Sequence, residues 1–177
     1  APQGTSALAA ANQLVTTYGS SQVRYAHPNF MSKKDLSAIP NDPLFNRQWH
    51  LNATNVAPQS NVVVDADIDA PEAWDLETGN SNTIIAVIDT GVRPHADLVA
   101  NLLPGYDFVT STTIGADGGG RDADASDPGD AAPAGACGAG AVSTRSSWHG
   151  THVSGLAAAA GGNGVGVTGV AYAARIL

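Results

Sequence analysis

The stretch from Asn82 to Val92, NTIIAVIDTGV, constrains the fold more than any other part of the chain. Residues 84–88 are apolar without alternation, which is typical of a strand buried on both faces of a parallel sheet. The pattern predicts an α/β fold. Asp89 follows directly, and in open α/β sheets the ligand crevice lies outside the carboxyl ends of the strands. Its carboxylate is therefore placed for function.

A histidine stands at the start of a second informative stretch, HGTHVSGLAAAA, which covers residues 149–160. The small residues predict a helix that lets neighbouring backbones approach closely. A carboxylate at a strand end and a histidine at a helix start are two members of a catalytic triad. In that triad the acid fixes the tautomer of the base, and the base deprotonates a nucleophile. Asp89 and His149 are the candidates for these roles.

The first part of the chain predicts a small separate unit. Residues 6–18 are good helix formers, with Ser6 as the N-cap and Gly19 as the stop. Residues 21–30, SQVRYAHPNF, contain an alternation of polar and apolar side chains that suits one strand of a small antiparallel sheet. Residues 31–43 contain two lysines and two prolines without an apolar period, and they predict an exposed linker. We therefore place a domain boundary there.

Three further stretches complete the prediction of elements. Residues 70–80 predict a helix with Pro71 at an early position, Trp74 buried and Gly79 as the C-cap. Residues 115–141 are rich in Gly, Ala and Asp, and they predict a long loop of the kind that tends to be functional. Residues 164–177 predict a strand, a turn and the start of another strand, so that the sheet is incomplete in this chain.

Charge is distributed unevenly along the sequence. Residues 1–50 hold four Lys or Arg against two Asp or Glu, whereas residues 51–177 hold four against fourteen. An acidic surface repels phosphate backbones and anionic membranes and suits hard cations, so we expect calcium, no nucleic acid and no membrane as partners. No apolar run is long enough to span a membrane and no signal peptide is recognisable, so any export signal is expected to have been removed.

The motifs AVIDTGV and HGTHVSG resemble those of the subtilisin-like serine proteases, in that family's order of Asp before His before Ser. The resemblance implies a parallel-sheet, subtilisin-like α/β fold that is incomplete in this chain. It also implies that Asp89 orients the imidazole, that His149 is the general base and then the acid, and that His152 is structural. The nucleophile serine, the oxyanion-hole asparagine and the walls of the S1 pocket are expected beyond Leu177.

Other interpretations of the same residues stay open. Asp89 and His149 are alternatively a core aspartate and a capping histidine without a catalytic link. His149 and His152 are alternatively a zinc pair, although zinc helices favour i, i+4 spacing and a third ligand. The stretch GTSALAA, which contains Ser6, is similar over a few residues to the family's nucleophile motif. It lacks the proline that follows this motif in the family, and it lies before Asp89 in the chain. Ser6 is therefore interpreted as a plain N-cap.

The resemblance covers the whole chain and implies its domain organisation. Residues 1–36 are similar to the C-terminal remnant of an inhibitory pro-domain with its linker, and residues 37–177 are similar to the N-terminal part of the peptidase domain. A maturation cut is expected near residues 35–39. Cys137 is the single cysteine, and it is either a free thiol or paired outside the chain. The resemblance implies a disulfide to a cysteine beyond Leu177.

Calcium is the expected cofactor at two places. For the first, the resemblance implies two carboxylates, one amide side chain and two backbone carbonyls, contributed by Asp42, Asp97, Asn163, Val165 and Val167. For the second, the acidic loop DADASDPGD carries carboxylates that repel one another unless a cation or solvent screens them, at Asp122, Asp124, Asp127 and Asp130. The loop does not match an EF-hand, and a solvated acidic loop is the alternative.

These inferences imply a secreted serine endopeptidase that acts on proteins or peptides, in which this chain supplies Asp89 and His149 and the serine lies outside it. A rival hypothesis is a catalytically inert fragment or partner chain of a nicked or split protease. An incomplete sheet exposes an edge, so a complementary C-terminal chain that carries the catalytic serine is expected as a partner. A third hypothesis takes IDTG as the phosphate-binding turn of a sugar-kinase-like fold, and the HGTHVSG motif argues against it.

Overall fold

The computed structural model describes residues 6–19, 22–23, 26, 39–53, 66–136 and 138–177. The chain divides into two compact units, Ala1–Asp35 and Leu36–Leu177. Most of the strand predicted over residues 21–30, residues 31–38 of the linker, and Cys137 lie outside the described residues. No helix in the described part of the chain is both long and apolar enough to cross a membrane.

Helix α1, Ala7–Tyr18, is the element described in the first unit. Ser6 is its N-cap, and its hydroxyl accepts a hydrogen bond from the Ala9 N–H at 3.1 Å. At the other end, the Gly19 N–H donates to the Val15 carbonyl at 3.0 Å. The predicted helix, with its cap and its stop, is confirmed. Because the Ser6 hydroxyl satisfies a helix N-terminal amide, the structure agrees with the plain N-cap interpretation of GTSALAA.

The second unit contains a parallel sheet formed by β1, Ile84–Ile85, and β2, Arg175–Ile176. Ile84 pairs with Arg175, and Ile85 pairs with Ile176. The ladder continues beyond β1, since the Val87 N–H donates to the Leu177 carbonyl at 2.8 Å. The predicted α/β fold with an incomplete parallel sheet is confirmed.

The strand that contains β1 is more exposed than its composition predicted. Ile84 is 55% exposed and Ile88 is 95% exposed, so the prediction of burial on both faces is wrong for the structure described. The physical reason is the size of the sheet. Within the described ranges β1 pairs with β2 along one side. Ile85 and Val87 pack against Ala158, Ala174 and Ile176, whereas the alternate side chains Ile84 and Ile88 stay exposed.

Helix α2, Ala70–Trp74, is shorter than the sequence predicted. Pro71 lies in its first turn and Trp74 is buried, as predicted. The helix ends at Trp74 with Asp75 as its C-cap, so the prediction that Gly79 caps it is wrong. Gly79 lies in the irregular segment that follows α2, at φ +83°, where a Cβ atom would be 3.1 Å from the Ala174 nitrogen. Glycine is therefore required at this position by the positive φ and by the close approach of the Ala174 backbone.

Two small apolar clusters hold the unit together. The first consists of Phe45, Leu51, Ala70 and Trp74, with Tyr172 packed against it. The Trp74 indole lies edge-on to the Tyr172 ring, with the ring centroids 5.3 Å apart, and its N–H donates to the Val170 carbonyl at 2.8 Å. The second cluster consists of Ala158, Ala174 and Ile176. It joins the end of a helix to β2 and thereby anchors the segment that begins with His149.

That helix, α4, covers His149–Ala158 and confirms the predicted helix of small residues. Helix α3, Thr112–Gly115, is a single turn that ends at the first residue of the loop predicted over residues 115–141. The predicted loop over residues 115–141 has isolated bridges where it is described, such as Asp107 with Asp122 and Val92 with Ser126.

The strand predicted at the start of residues 164–177 is absent from the structure. The segment begins with bends, and Gly164 and Gly166 both have positive φ. A strand requires negative φ, and these two backbone angles exclude one. The later strand is β2, as predicted.

Candidate active site

Asp89 and His149 are brought together although 60 positions separate them in sequence. Asp89 follows the segment that continues β1, and His149 is the first residue of α4. The imidazole Nδ1 lies 2.8 Å from each carboxylate oxygen of Asp89. The pair stands beyond the carboxyl end of the parallel sheet, the position at which open α/β sheets bind ligands.

The environment of Asp89 keeps its carboxylate ionised. The Thr90 N–H donates to Asp89 Oδ1 at 2.7 Å, and this bond, followed by the bond from His149, lowers the pKa of Asp89 below its usual value. An ionised carboxylate can only accept hydrogen bonds, so the proton of the neutral imidazole belongs on Nδ1. Nε2 is then an unprotonated base. The His149 side chain is 62% exposed and that of Asp89 16%, so the base is open to an incoming group.

Two glycines allow the segments that carry this pair to approach each other. A Cβ atom on Gly150 would lie 2.1 Å from the Gly91 carbonyl oxygen, so only glycine fits at the second position of α4. Gly91 has φ +99°, and a Cβ atom there would lie 2.8 Å from the Ala125 carbonyl oxygen. The glycines of DTG and HGT are therefore required by backbone packing between strand end, helix start and acidic loop.

Asp127 contacts this centre from the acidic loop. Its Oδ2 accepts a hydrogen bond from the Thr90 hydroxyl at 2.9 Å, and its Oδ1 accepts one from the Gly129 N–H at 2.7 Å. Sequence reasoning missed the role of Thr90 and placed Asp127 among calcium ligands. Thr90 was detectable because it directly follows Asp89. Asp127 carried no distinguishing signal among the aspartates of its loop.

His152 is not part of the same cluster. Its side chain is exposed on α4. No group of three or more His, Cys, Asp and Glu side chains that could hold a metal ion exists in the part of the chain that the structure describes. The zinc pair therefore lacks a third protein ligand among the described residues.

The residues of the first expected calcium site do lie together. Asp42 is 4% exposed, and its carboxylate accepts hydrogen bonds from the Gly162, Asn163 and Gly164 N–H groups and from the Thr168 hydroxyl. Asp97 is 2% exposed and accepts from the Asn163 amide at 2.9 Å and from the Val167 N–H at 2.8 Å. The Val165 N–H donates to Asn163 Oδ1 at 2.7 Å. One turn thus faces both carboxylates.

These residues fit a hard cation. Every donor in those bonds to Asp42 and Asp97 is neutral, so the two buried charges receive hydrogen bonds without a compensating positive charge from them. Burying a carboxylate is costly unless its charge is compensated. Carboxylate, amide and carbonyl oxygens are the ligands that calcium takes, and the expected residues supply all three kinds. In this structure the groups of the turn that face the two carboxylates are N–H groups, including the Asn163 amide.

Each carboxylate of the acidic loop has its own hydrogen-bond partners. Asp122 accepts from the Asp124 N–H, Asp124 from the Ser126 N–H, and Asp130 from the backbone and hydroxyl of Ser147. The bonds from Ser147 lower the pKa of Asp130, and those from Ser126 lower the pKa of Asp124. Asp127 is buried against Thr90. The described residues do not gather these side chains into one group, so a second calcium site stays a prediction that this geometry does not support.

Comparison with known proteins gives concordant results. Residues 80–177 match the model of the subtilase family. The chain is 47% identical over 138 residues to an extracellular protease of Xanthomonas campestris, covering 78% of this chain and 22% of that protein. It is 42% identical over 72 residues to the protease 2 small chain of Achromobacter lyticus, covering 40% of this chain and 97% of that one.

A solved protease structure from Pseudoalteromonas arctica superposes with a TM-score of 0.66 at 51% identity, covering 78% of this chain and 37% of that chain. The described fold is therefore subtilisin-like. The sequence spans roughly a fifth of the length of the Xanthomonas protein. The family match covers more than half of the chain, and the chain belongs to the subtilase family.

Proposed function

We propose that this chain provides the acid and the base of a secreted subtilisin-like serine endopeptidase, and that the nucleophile serine lies outside residues 1–177. The observation that carries the proposal is the pair of 2.8 Å contacts between His149 Nδ1 and the Asp89 carboxylate, with the imidazole otherwise exposed. The acid and base motifs, their spacing and the family membership all support the same chemistry. Names of extracellular proteases among the relatives support secretion.

The mechanism is acyl transfer to a serine. His149 Nε2 accepts the serine proton as the oxygen attacks the peptide carbonyl, and the imidazolium that forms is stabilised by the ionised Asp89. The same Nε2 proton then passes to the leaving amine, and the acyl-enzyme is hydrolysed by a water that His149 deprotonates in turn. Asp89 holds the ring in one tautomer throughout and keeps its own charge. The oxyanion is stabilised by donors outside this chain.

We also propose the domain organisation and the cofactor. Residues 1–36 are a pro-domain remnant with its linker, and residues 37–177 begin the peptidase domain. The turn that faces Asp42 and Asp97 would hold a calcium ion, with these two carboxylates, the Asn163 side chain and the carbonyls of Val165 and Val167 as its ligands. A bound cation would compensate two buried carboxylates and so fasten the turn to the segment that begins the domain.

One observation favours a second candidate. The Achromobacter relative is called a small chain, and this sequence covers 97% of it. By analogy, this polypeptide is one piece of a nicked or split protease and is inert without the complementary chain that carries the serine. The two candidates share Asp89 and His149 and differ in whether the serine is on the same polypeptide.

Labelling with a serine-reactive fluorophosphonate, followed by intact mass of every chain, tests the proposal. The intact protease should be labelled outside residues 1–177, and His149→Ala should slow labelling by several orders of magnitude because the serine loses its base. His152→Ala is the matched control, since this second exposed histidine of α4 should leave labelling unchanged.

The outcomes separate the candidates. A label on a second, co-purifying chain supports the split assembly, and a label on the same polypeptide supports the single-chain enzyme. Unchanged labelling of a folded His149→Ala variant, or a label on Ser6, would contradict the assignment of the base.

A further inference from the structure

We propose that Asp127 is a positioning residue, which acts through the Thr90 hydroxyl to hold the start of α4, and with it His149, against Asp89. The inference rests on the proposed function, because positioning has a catalytic consequence only if the pair is catalytic. It assigns a role to a buried carboxylate that the triad chemistry does not use.

The burial of Asp127 shows that it is a structural part of the site. It is 3% exposed, although its neighbours in the acidic loop are largely exposed. The surrounding backbone is fixed to the strand end, since the Val92 N–H donates to the Ala125 carbonyl at 3.0 Å and the Asp127 N–H donates to the Val92 carbonyl at 3.3 Å. The carboxylate is therefore held beside the turn that follows Asp89.

The charge of Asp127 fixes the direction of the Thr90 hydroxyl. A carboxylate only accepts hydrogen bonds, so the hydroxyl proton must point to Asp127 Oδ2 at 2.9 Å. The lone pairs of the same oxygen are then free to accept the Gly150 N–H at 3.1 Å. Without the Asp127 carboxylate, the Thr90 hydroxyl loses this acceptor, and its proton is free to turn toward Asp89, to which the Thr90 side chain also hydrogen-bonds, or toward the N–H of Gly150.

The bond to Gly150 replaces a missing helix cap. The N-cap of α4 is Trp148, which has φ 51° and no side-chain hydrogen bond to the helix. The first amides of a helix lack partners within the helix and are normally satisfied by the side chain of the N-cap residue. Here Thr90, from a distant part of the sequence, satisfies the amide directly after His149.

Thr90 is consequently joined to both members of the pair. Its N–H donates to Asp89 Oδ1, and its hydroxyl accepts from the residue that follows His149. Asp127 secures the second of these links. A displacement of about 1 Å at a reacting group can cost roughly 100-fold in rate. Losing the link should therefore lower kcat more than it raises KM.

Two pairs of variants in the intact protease test the inference. Thr90→Val keeps the shape of the side chain and removes the hydroxyl, whereas Thr90→Ser retains the hydroxyl and is the rescue control. Asp127→Asn replaces one accepting oxygen with a donor. Asp117→Asn is its matched control, because Asp117 Oδ1 accepts from the N–H two residues later as Asp127 does, but Asp117 is exposed.

We expect kcat to fall by about 10- to 100-fold in Thr90→Val and Asp127→Asn with KM within about twofold, and to stay near wild type in Thr90→Ser and Asp117→Asn. The proton NMR resonance of His149 Nδ1–H should shift or broaden in the first two variants only. If Asp127→Asn does not fold, the Thr90 pair decides the question.

Equal kcat values for Thr90→Val and Thr90→Ser would overturn the positioning role. If the proposed function itself is wrong, a folded His149→Ala variant should remain active, which distinguishes this outcome from loss of the positioning role. A folded His149→Ala variant without activity, together with an active Thr90→Val, refutes the positioning role alone.

Discussion

Two clusters in the second unit use carboxylates in opposite ways: the first is the pair Asp89 and His149, and the second is Asp42 and Asp97 with the turn that faces them. Asp89 is partly exposed and faces a base, whereas Asp42 and Asp97 are almost wholly buried and face neutral donors. In the proposed catalytic pair, the Asp89 charge would stabilise an imidazolium at a solvent-accessible position. In the proposed calcium site, the two buried charges have no comparable partner, and a cation would compensate them. Exposure and the charge of the partner thus distinguish the two proposed roles.

The largest expected effect comes from breaking the first cluster. His149→Ala or Asp89→Asn should lower kcat/KM of the intact protease by about 10⁴-fold or more, because the serine loses its base or the base loses its tautomer. Asp97→Asn should act chiefly on thermal stability. Kinetics below the unfolding transition, with Tm measured for each variant, check this. Similar losses of kcat in Asp89→Asn and Asp97→Asn would contradict the different roles proposed for the two clusters.

Removing calcium should affect the second cluster. A ligand at 100 times its Kd stabilises the folded state by about 2.7 kcal/mol, so a chelator should lower Tm of the protease by several degrees. Asp97→Asn should lose most of that response, and Asp117→Asn, an exposed aspartate outside the cluster, should keep it. Calorimetry with and without EGTA measures the difference. A full chelator response in Asp97→Asn would remove Asp97 from the calcium site.

Local sequence patterns predicted the elements whose ends are determined by neighbouring residues. Ser6 and Gly19 bound α1, and the small residues from His149 form α4. Patterns failed where contacts between distant segments decide the structure. Residues 164–167 have alternating valines suited to a strand, yet glycines at positive φ turn this backbone toward the buried Asp42 and Asp97.

The same limit explains what sequence reasoning found in the candidate site. Asp89 and His149 stand in motifs whose residue types reveal their chemistry. Asp127 differs from the other aspartates of its loop only in being buried against Thr90, and burial depends on how the loop folds back onto the strand end. Composition alone therefore grouped Asp127 with its exposed neighbours and assigned the whole loop to calcium.

The titration of Asp89 should reveal which neighbour controls its charge. The Thr90 N–H is the largest cause of its lowered pKa, with His149 second. The carboxyl carbon of Asp89, followed by NMR, should titrate below about pH 3.9 in the wild type and remain below it in His149→Ala.

Because the pKa of the folded state is the lower one, the associated stabilisation is present above the unfolded pKa and is lost as pH falls through the folded value. The Asp89–His149 hydrogen bond should therefore persist below about pH 4. A normal Asp89 titration in His149→Ala would assign the shift to the imidazole instead.

The smallest expected effects compare one glycine from each region. A Cβ atom at either Gly164, in the turn near Asp42, or Gly155, in α4, would meet open space, so added volume is not a factor. Gly164 has φ +71°, and Gly164→Ala should destabilise the fold by about 1 kcal/mol through backbone strain. Gly155 lies within a helix, and Gly155→Ala should stabilise it by about 0.5–1 kcal/mol. Denaturant unfolding of the two variants should therefore give shifts of opposite sign. Shifts of the same sign would show that the turn near Asp42 adjusts its backbone to accept alanine.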